Sequence, residues 1–382
     1  MAAANKVLVV GGGIGGMATA ISLARRGVAV ELIDLDPQWR VYGAGITITG
    51  ATLRALHALG VLDAVRQHAY TGAGIQICDT QGQPLSLVPT PVVSAPGVDI
   101  PGTGGIMRPV LHRILADTTR ALGVQVRLGL TVDALQSDAL GVEARFSNGG
   151  VGRYDLVVGA DGLFSRVRTL IRPDAPGPAF TGQYIWRVVA PRPAGLDRRH
   201  FFLGGPGKVG LTLVSAEQMY MFYLETVVER RPIVPDAQLP AMLHALLEGY
   251  GGPLEPIRQA LAREGEALAA SIVVRPLDCL LLPPPWHVGR VILIGDAAHP
   301  TTPQLASGAG MAVEDGLVLA EELERAASVE LALEGFMRRR HARCQLVVEN
   351  SLEIGRREQA RAPVAEQTRL VEESLRALAE PI

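Results

Sequence analysis

Only three cysteines, Cys78, Cys279 and Cys344, occur among the 382 residues. Odd in number, far apart and without metal-ligand spacing, they exclude a disulfide framework and offer no metal site. Each is expected to be a small buried apolar residue in a reducing compartment. No apolar run approaches the roughly 20 residues needed to cross a bilayer. The apolar stretch near the N-terminus is cut short by glycines and lacks a signal-peptide cleavage pattern. Charge of one sign is missing too: 36 Lys and Arg against 38 Asp and Glu give a formal net charge of −2. That balance favours neither nucleic acid nor a membrane surface as partner. Internal repeats and low-complexity blocks are absent. The length favours two lobes, and a cytoplasmic monomer or homodimer is expected.

Glycine is what the chain has in informative places. Gly11-Gly12-Gly13-Ile14-Gly15-Gly16 follows a short apolar strand, Lys6 to Val10, and precedes the helix-like Met17 to Arg26. In such a turn Gly11 permits the tight backbone, Gly13 admits a pyrophosphate against the main chain, and Gly16 lets the helix pack closely on the sheet. Phosphates would then meet free N–H groups, Ile14 among them, and the positive end of a helix dipole. A second strand, Ala29 to Ile33, ends at Asp34, whose carboxylate is placed to accept hydrogen bonds from a ribose diol.

The pattern then changes twice. Ala73 to Pro101 reads as short hairpin strands. Arg108 to Leu122 returns to helix, and Gln125 to Arg145 to strands. A second excursion follows the Pro/Gly-rich link from Arg172 to Gly182. It carries strands at Tyr184 to Val189, Val209 to Val214 and Met219 to Glu225, with helices near Leu239 to Leu247 and Ile257 to Arg263. The apolar strand Val291 to Ile294 rejoins the first sheet, and the chain is helical from Glu314 onward. Arg356 to Arg361 and Leu370 to Leu378 read as exposed helices.

Two further signatures lie on strand ends. Asp155 to Gly162 is a strand ending in a turn, with Ser165 and Arg168 at the next helix start. Val291 to Ile294 ends at Gly295-Asp296; His299 to Pro303 forms a loop, and Ser307-Gly308-Ala309-Gly310 opens a helix leading to Glu314-Asp315. An aspartate there can hydrogen-bond a polyol, and the helix start presents N–H groups to an electron-rich heterocycle.

GGGIGG with Asp34, DLVVGADG with SRVR, and GDAAHPTTP followed by SGAGMAVED resemble the three ordered motifs of the single-component flavoprotein aromatic hydroxylases, the para-hydroxybenzoate hydroxylase family. The resemblance spans residues 5 to 345 and implies an α/β fold. A Rossmann-like FAD-binding domain (1–72, 102–178 and 268–345) is interleaved with a mixed β-sheet substrate domain (73–101 and 179–267) and followed by a helical C-terminal segment (346–382). It implies FAD as cofactor, NADH or NADPH as co-substrate, and O2. The oxygen would reach a small aromatic or N-heteroaromatic substrate through a flavin C4a-hydroperoxide.

Residue by residue, the resemblance places the adenosine end of FAD on Gly11, Gly13, Ile14, Gly16 and Asp34. Arg108 contacts the cofactor, Asp161 and Arg168 lie near the pyrophosphate and the NAD(P)H path, and Asp296 holds the ribitol. Gly308, Ala309, Gly310 and Met311 face the isoalloxazine with their N–H groups. Arg40 either reaches the cofactor phosphates or is a solvated surface arginine. Pro303 is expected to offer its carbonyl, and Gln304 its side chain, to substrate or oxygen. His299 is either a base or, as favoured, a loop histidine satisfied by backbone.

On the strand Met219 to Glu225, alternation puts Tyr220 and Phe222 on one face and Met221 and Tyr223 on the other, so one pair lines the pocket and the other packs. Tyr223 is the phenol assigned as orienting donor or proton relay. Arg187 is assigned to the substrate, with no second fixed cation evident to make a carboxylate compelling. Two positions depart from the family pattern. Gly50-Ala51 stands where Pro-Asn is common, and Ala306-Ser307-Gly308-Ala309-Gly310 where Gly-Gln-Gly-Ala-Asn is common. Epoxidation, halogenation or non-catalytic flavin binding are the alternatives on this scaffold; the Trp-x-Trp-x-Ile-Pro signature of its halogenases is absent around Trp186.

Overall fold

The computed structural model describes residues 3–41, 43–95 and 97–382. Its centre is a six-stranded sheet in the order Gln125–Leu128, Ala29–Asp34, Lys6–Val10, Leu156–Gly159, Val291–Leu293 and His287–Val288. The first five strands are parallel and the last is antiparallel. Val7 to Val10 and Leu156 to Gly159 are buried without alternation, as expected of strands covered on both faces. The three signatures leave the carboxyl ends of three adjacent strands, where ligands bind in sheets of this kind.

Two helices that follow these strands lie against each other. Ile14–Ala24 packs on Gly308–Arg325 through small residues: a Cβ at Gly316 would come within 2.7 Å of the Thr19 nitrogen. Their N-terminal ends therefore converge on one region.

A seven-stranded mixed sheet forms the second layer, in the order Val273–Cys279, Ala179–Pro191, Gln218–Thr226, Lys208–Leu213, Arg199–Phe202, Ile75–Cys78 and Pro84–Val88. Both excursions contribute to it, and the sheet extends past residue 267 because Val273–Cys279 pairs with Ala179–Pro191. One face packs Trp186, Met221 and Tyr223 against Leu239, Leu243 and Leu261 of the covering helices. The opposite face carries Ile185, Tyr220 and Phe222.

A three-stranded sheet of Gly45–Thr49, Thr103–Met107 and Tyr70–Gly72 joins the two layers. Sequence periodicity misses it, because each strand is short and Gly45, Gly72, Gly104 and Gly105 interrupt the apolar pattern. At the C-terminus, Val329–Gln359 is a single helix of 31 residues that runs unbroken across residue 345. The following helix, Val364–Ala379, is amphipathic rather than exposed, burying Val371, Leu375 and Leu378. Its end is held by Arg54, whose Nη1 donates to the Ala379 carbonyl at 2.5 Å. Among the described residues no helix is long and apolar enough to cross a membrane.

Candidate active site

A cleft of about 970 Å³ lies between the two layers and reaches from Gly13 and Ile14 past Arg108, Asp296 and Gly308 to Phe222 and Arg199. At its first end, Gly11 adopts φ 106°, a left-handed conformation that favours glycine. A Cβ at Gly16 would overlap the Gly11 carbonyl oxygen, whereas a Cβ at Gly13 would meet nothing within 4 Å. Gly16 thus serves helix packing, and Gly13 leaves open space. The first helix hydrogen bond runs from the Met17 N–H to the Gly13 carbonyl, 2.9 Å. Helix geometry therefore leaves the N–H groups of Ile14, Gly15 and Gly16 without intrahelical partners.

Asp34 is bound into the same turn: its carboxylate accepts from the Gly12 N–H at 2.7 Å and from the Asp36 N–H at 2.8 Å. Each oxygen retains a further lone pair for a diol. Trp39, absent from the sequence assignment, donates its indole N–H to the Gly12 carbonyl at 2.8 Å. It stands edge-on to His112, with ring centroids 5.5 Å apart. Arg40 lies outside the cleft and pairs with Asp36 at 2.9 Å on the surface. Asp161 is turned into its own helix start, accepting from the Ser165 hydroxyl at 2.5 Å and the Val167 N–H at 2.9 Å. Arg168 ties the second signature to the third, donating to the carbonyls of Leu163 and Ala297 at 2.9 and 2.8 Å.

Asp296 opens into the cleft, with protein packed densely behind it. Burial pushes its pKa up, opposed by His299 and Arg108. Arg108 begins the helix Arg108–Ala121 and lies against Gly43, where a Cβ would come within 3.5 Å of its Cδ. At the start of Gly308–Arg325, the Met311 N–H is already committed to the Ser307 carbonyl at 2.9 Å, and Met311 is 1 % exposed. The four-residue N–H array expected from the sequence is therefore three, Gly308 to Gly310, because helical bonding begins at Met311.

The departures at Gly50-Ala51 and Gly310 prove to be linked. Gly50–Ala58 is a helix whose Thr52 packs under Gly310, and a Cβ at Gly310 would overlap the Thr52 hydroxyl. Ala306, in place of a common glycine, keeps the left-handed backbone with φ 51°.

Behind this helix lies a buried charge network. His299 Nε2 is 2.6 Å from Asp315, which also accepts from Arg340 Nε at 2.8 Å and the Gly295 N–H at 2.9 Å. Arg340 continues to Glu314 at 2.7 Å. Burial opposes both charges of the His299–Asp315 pair. Even so, Cys344 and Asp315 raise the His299 pKa well above its ordinary value, while His299 and Arg340 hold Asp315 down to about 2. His299 is thus satisfied by a carboxylate rather than by backbone, and it does not line the cleft. Its near neighbour Cys344 completes a group with His299 and Asp315 whose side-chain ligand atoms all lie within 4.8 Å of one another. Arg340, however, already occupies the carboxylate that a metal would need.

At the substrate end the parity of the strand is settled. Tyr220 and Phe222 face the cleft, and Tyr223 faces the covering helices, its ring edge-on to Tyr250 at 6.2 Å between centroids. The assignment of Tyr223 to the pocket is therefore wrong: helices Leu239–Leu246 and Glu255–Arg263 cover that face of the sheet. Tyr220 instead meets the Thr47 hydroxyl at 2.7 Å. Pro303 lines the cleft, and its carbonyl accepts the Ala306 N–H at 3.0 Å. Gln304 also lines it, but donates its amide to Gln183 at 3.0 Å and Glu358 at 3.1 Å, leaving Oε1 buried without a partner among the described residues. Arg187 points into the cleft, and Arg199 supplies the second fixed cation that the sequence left unseen.

The chain matches the family model described as FAD binding domain over residues 4–274 and 279–351. The chain belongs to that family. YetM of Bacillus subtilis is 31% identical over 363 residues, covering 94% of this chain and 96% of its own. The aurachin C monooxygenase/isomerase of Stigmatella aurantiaca is 32% identical over 356 residues, covering 91% and 88%. Among solved structures, 2-methyl-3-hydroxypyridine-5-carboxylic acid oxygenase superposes with a TM-score of 0.78 at 25% identity, covering 97% of this chain and 96% of that one. As a member of this FAD-binding family the chain is an FAD-dependent monooxygenase, with FAD as cofactor and NAD(P)H as co-substrate. The cradle at Gly11 to Gly16, the open space at Gly13 and the two converging helix starts fit that cofactor.

Proposed function

We propose that the protein hydroxylates a small aromatic or N-heteroaromatic compound, using NAD(P)H and O2. The observation that carries this function is the continuity of the cleft: one cavity joins the phosphate-binding turn, Asp296 and the Gly308 helix start to an aromatic-floored recess at Phe222. When bound, FAD would supply the redox chemistry, in which NAD(P)H gives two electrons and O2 gives one oxygen atom to the ring and the other to water.

The chain's own residues bind, orient and exclude water. Gly11, Gly13, Ile14 and Gly16 with Asp34 receive the adenosine and pyrophosphate, Arg108 neutralises phosphate charge, and Asp296 accepts from the ribitol. Gly308 to Gly310 direct N–H groups at the negative charge of the reduced ring system, where fixed donors cost no reorganisation. Asp161 acts indirectly, by fixing the turn around Gly162. Pro303 walls the reacting side, and Gln304 offers the free Oε1 to a substrate hydroxyl. Apolar residues such as Ile46, Phe222 and Leu277, set among the charged ones of the lining, would limit water and with it loss of reducing equivalents as peroxide. All these groups come from one chain, so a monomer or a homodimer suffices.

The purified FAD-loaded protein is expected to oxidise NAD(P)H faster when a suitable aromatic compound is present, with little peroxide. A flavoprotein whose NAD(P)H oxidation no aromatic or heteroaromatic compound accelerates would refute this function.

A further inference from the structure

The glycine turn has most of its main-chain polar groups committed to protein partners. The Gly11 N–H donates to the Ile33 carbonyl at 2.8 Å, the Gly12 N–H to Asp34 at 2.7 Å, and the Gly13 carbonyl accepts the first helix bond. The Gly12 carbonyl alone goes to a side-chain donor. It accepts the indole N–H of Trp39 at 2.8 Å, from a buried ring in the loop after the second strand.

That bond decides which way one peptide unit faces. In a planar trans peptide the carbonyl and the following N–H point in opposite directions, so a Gly12 carbonyl held on Trp39 turns the Gly13 N–H away from the indole. Gly13 lines the cleft and Trp39 does not, so this N–H is directed to the cleft side. The reverse orientation would aim a carbonyl oxygen at the phosphates and remove a donor. Glycine enters left- and right-handed backbone about equally well, so a peptide with glycine on both sides turns over easily unless it is held. A Cβ at Gly12 would overlap the Trp39 Nε1, which ties that glycine to the indole.

Trp39 is itself held in an unusual conformation. Its φ is 50°, a left-handed value that a bulky residue rarely adopts and that persists only where the surroundings over-determine it. Three contacts do so. The Trp39 N–H donates to the Asp36 carbonyl at 3.1 Å, His112 stands edge-on to the ring, and the Arg120 guanidinium lies 4.7 Å from the ring centre. The strained backbone thereby aims the indole N–H at one carbonyl of the turn.

We infer that Trp39 is a positioning residue for the cofactor's pyrophosphate: its indole N–H fixes the Gly12–Gly13 peptide so that the Gly13 N–H faces the phosphates before the cofactor arrives. This rests on the phosphate placement at the Gly13 turn in the proposed function and is independent of the substrate.

Competition of ADP and of adenosine against FAD, titrated on the full-length apoprotein, tests the inference, because ADP carries the phosphates and adenosine does not. Salt at about 0.5 M screens surface charge in every titration. Trp39→Phe keeps a ring in place and removes the N–H. It should weaken ADP by about tenfold and adenosine by less than about twofold. A ring that only packs would change both ligands alike. Arg120→Met, at an exposed position, loosens the ring without removing a buried group, and should weaken ADP by about threefold while sparing adenosine. Should Trp39→Phe fail to fold, Arg120→Met decides by the same comparison. Unchanged ADP affinity, or parallel losses for ADP and adenosine, overturns the positioning role and leaves the phosphate placement standing. Wild-type protein that binds ADP no tighter than adenosine would overturn the placement itself, and the positioning role with it.

Discussion

Glu358 pairs with Lys208 at 2.8 Å and accepts from the Gln304 amide at 3.1 Å, so one carboxylate from the long C-terminal helix reaches both the substrate-side sheet and the loop at Pro303. The Lys208 and Glu358 side chains are 7 % and 6 % exposed. Breaking such a pair strands a buried charge, whereas replacing both partners removes the problem. Glu358→Gln is expected to destabilise the fold by about 3 kcal/mol or more, and Lys208→Met in the same chain to recover most of the loss. Denaturant unfolding of the two single variants and the double variant measures the coupling; additive losses would contradict it.

The His299–Asp315 pair makes stability depend on pH in a definite direction. The His299 pKa is raised above its ordinary 6.5, so its contribution is full below pH 6.5 and is lost as pH rises through the folded value. The Asp315 pKa is depressed from 3.8 to about 2, so its contribution is full above pH 3.8 and is lost as pH falls toward 2. Maximum support from the pair thus lies between pH 3.8 and 6.5. Thermal unfolding followed from pH 6 to 9 should show a decline that His299→Gln flattens. An identical slope in the variant would argue against the pair.

Gly13 and Gly16 separate two roles within one motif. Gly13→Ala meets no protein atom, so the apoprotein should unfold at the wild-type temperature while FAD affinity drops by about tenfold to a hundredfold. Gly16→Ala overlaps the Gly11 carbonyl and should lower both. Apoprotein melting curves with FAD titration distinguish them, and a Gly13→Ala protein with normal FAD affinity would remove that residue from the cofactor site.

Ala306 holds a left-handed backbone at φ 51°, which costs an L-residue roughly 1 to 2 kcal/mol. Ala306→Gly relieves this, less the extra freedom glycine gains when unfolded, roughly 0.5 to 1 kcal/mol. A small rise in melting temperature is expected; a fall would show that the alanine methyl packs productively.

Tyr220 and Tyr223 test the parity of their strand. Tyr223→Phe should leave substrate-stimulated turnover near wild type, because that ring lies among the covering helices. Tyr220→Phe removes a hydroxyl that faces the cleft and bonds Thr47, and should change KM or coupling. Steady-state kinetics with peroxide measurement checks both, and the reverse ranking would contradict the observed facing.

These pairs also show what was legible in the sequence. The end of the cleft at the glycine turn was, because Gly11 to Gly16, Asp34 and Asp296 lie in short linear motifs whose spacing carries their placement beside the sheet's carboxyl ends. The substrate end was not. Alternation separates Tyr220 from Tyr223 but does not say which face the helices will cover. Arg199, Thr47 and Glu358 come from three distant segments and meet only when the sheets pack. Asp161 and Met311 sat in the right motifs, yet their polar groups are largely taken up by local capping and helix bonding.

The most direct test of the central claim is turnover under 18O2 with NAD(P)H and an aromatic or heteroaromatic compound that stimulates oxidation. One 18O atom should appear in each molecule of hydroxylated product, with one NAD(P)H consumed per product. NAD(P)H oxidation that delivers its electrons only to peroxide, with no label in any aromatic product, would contradict a monooxygenase built around this cleft.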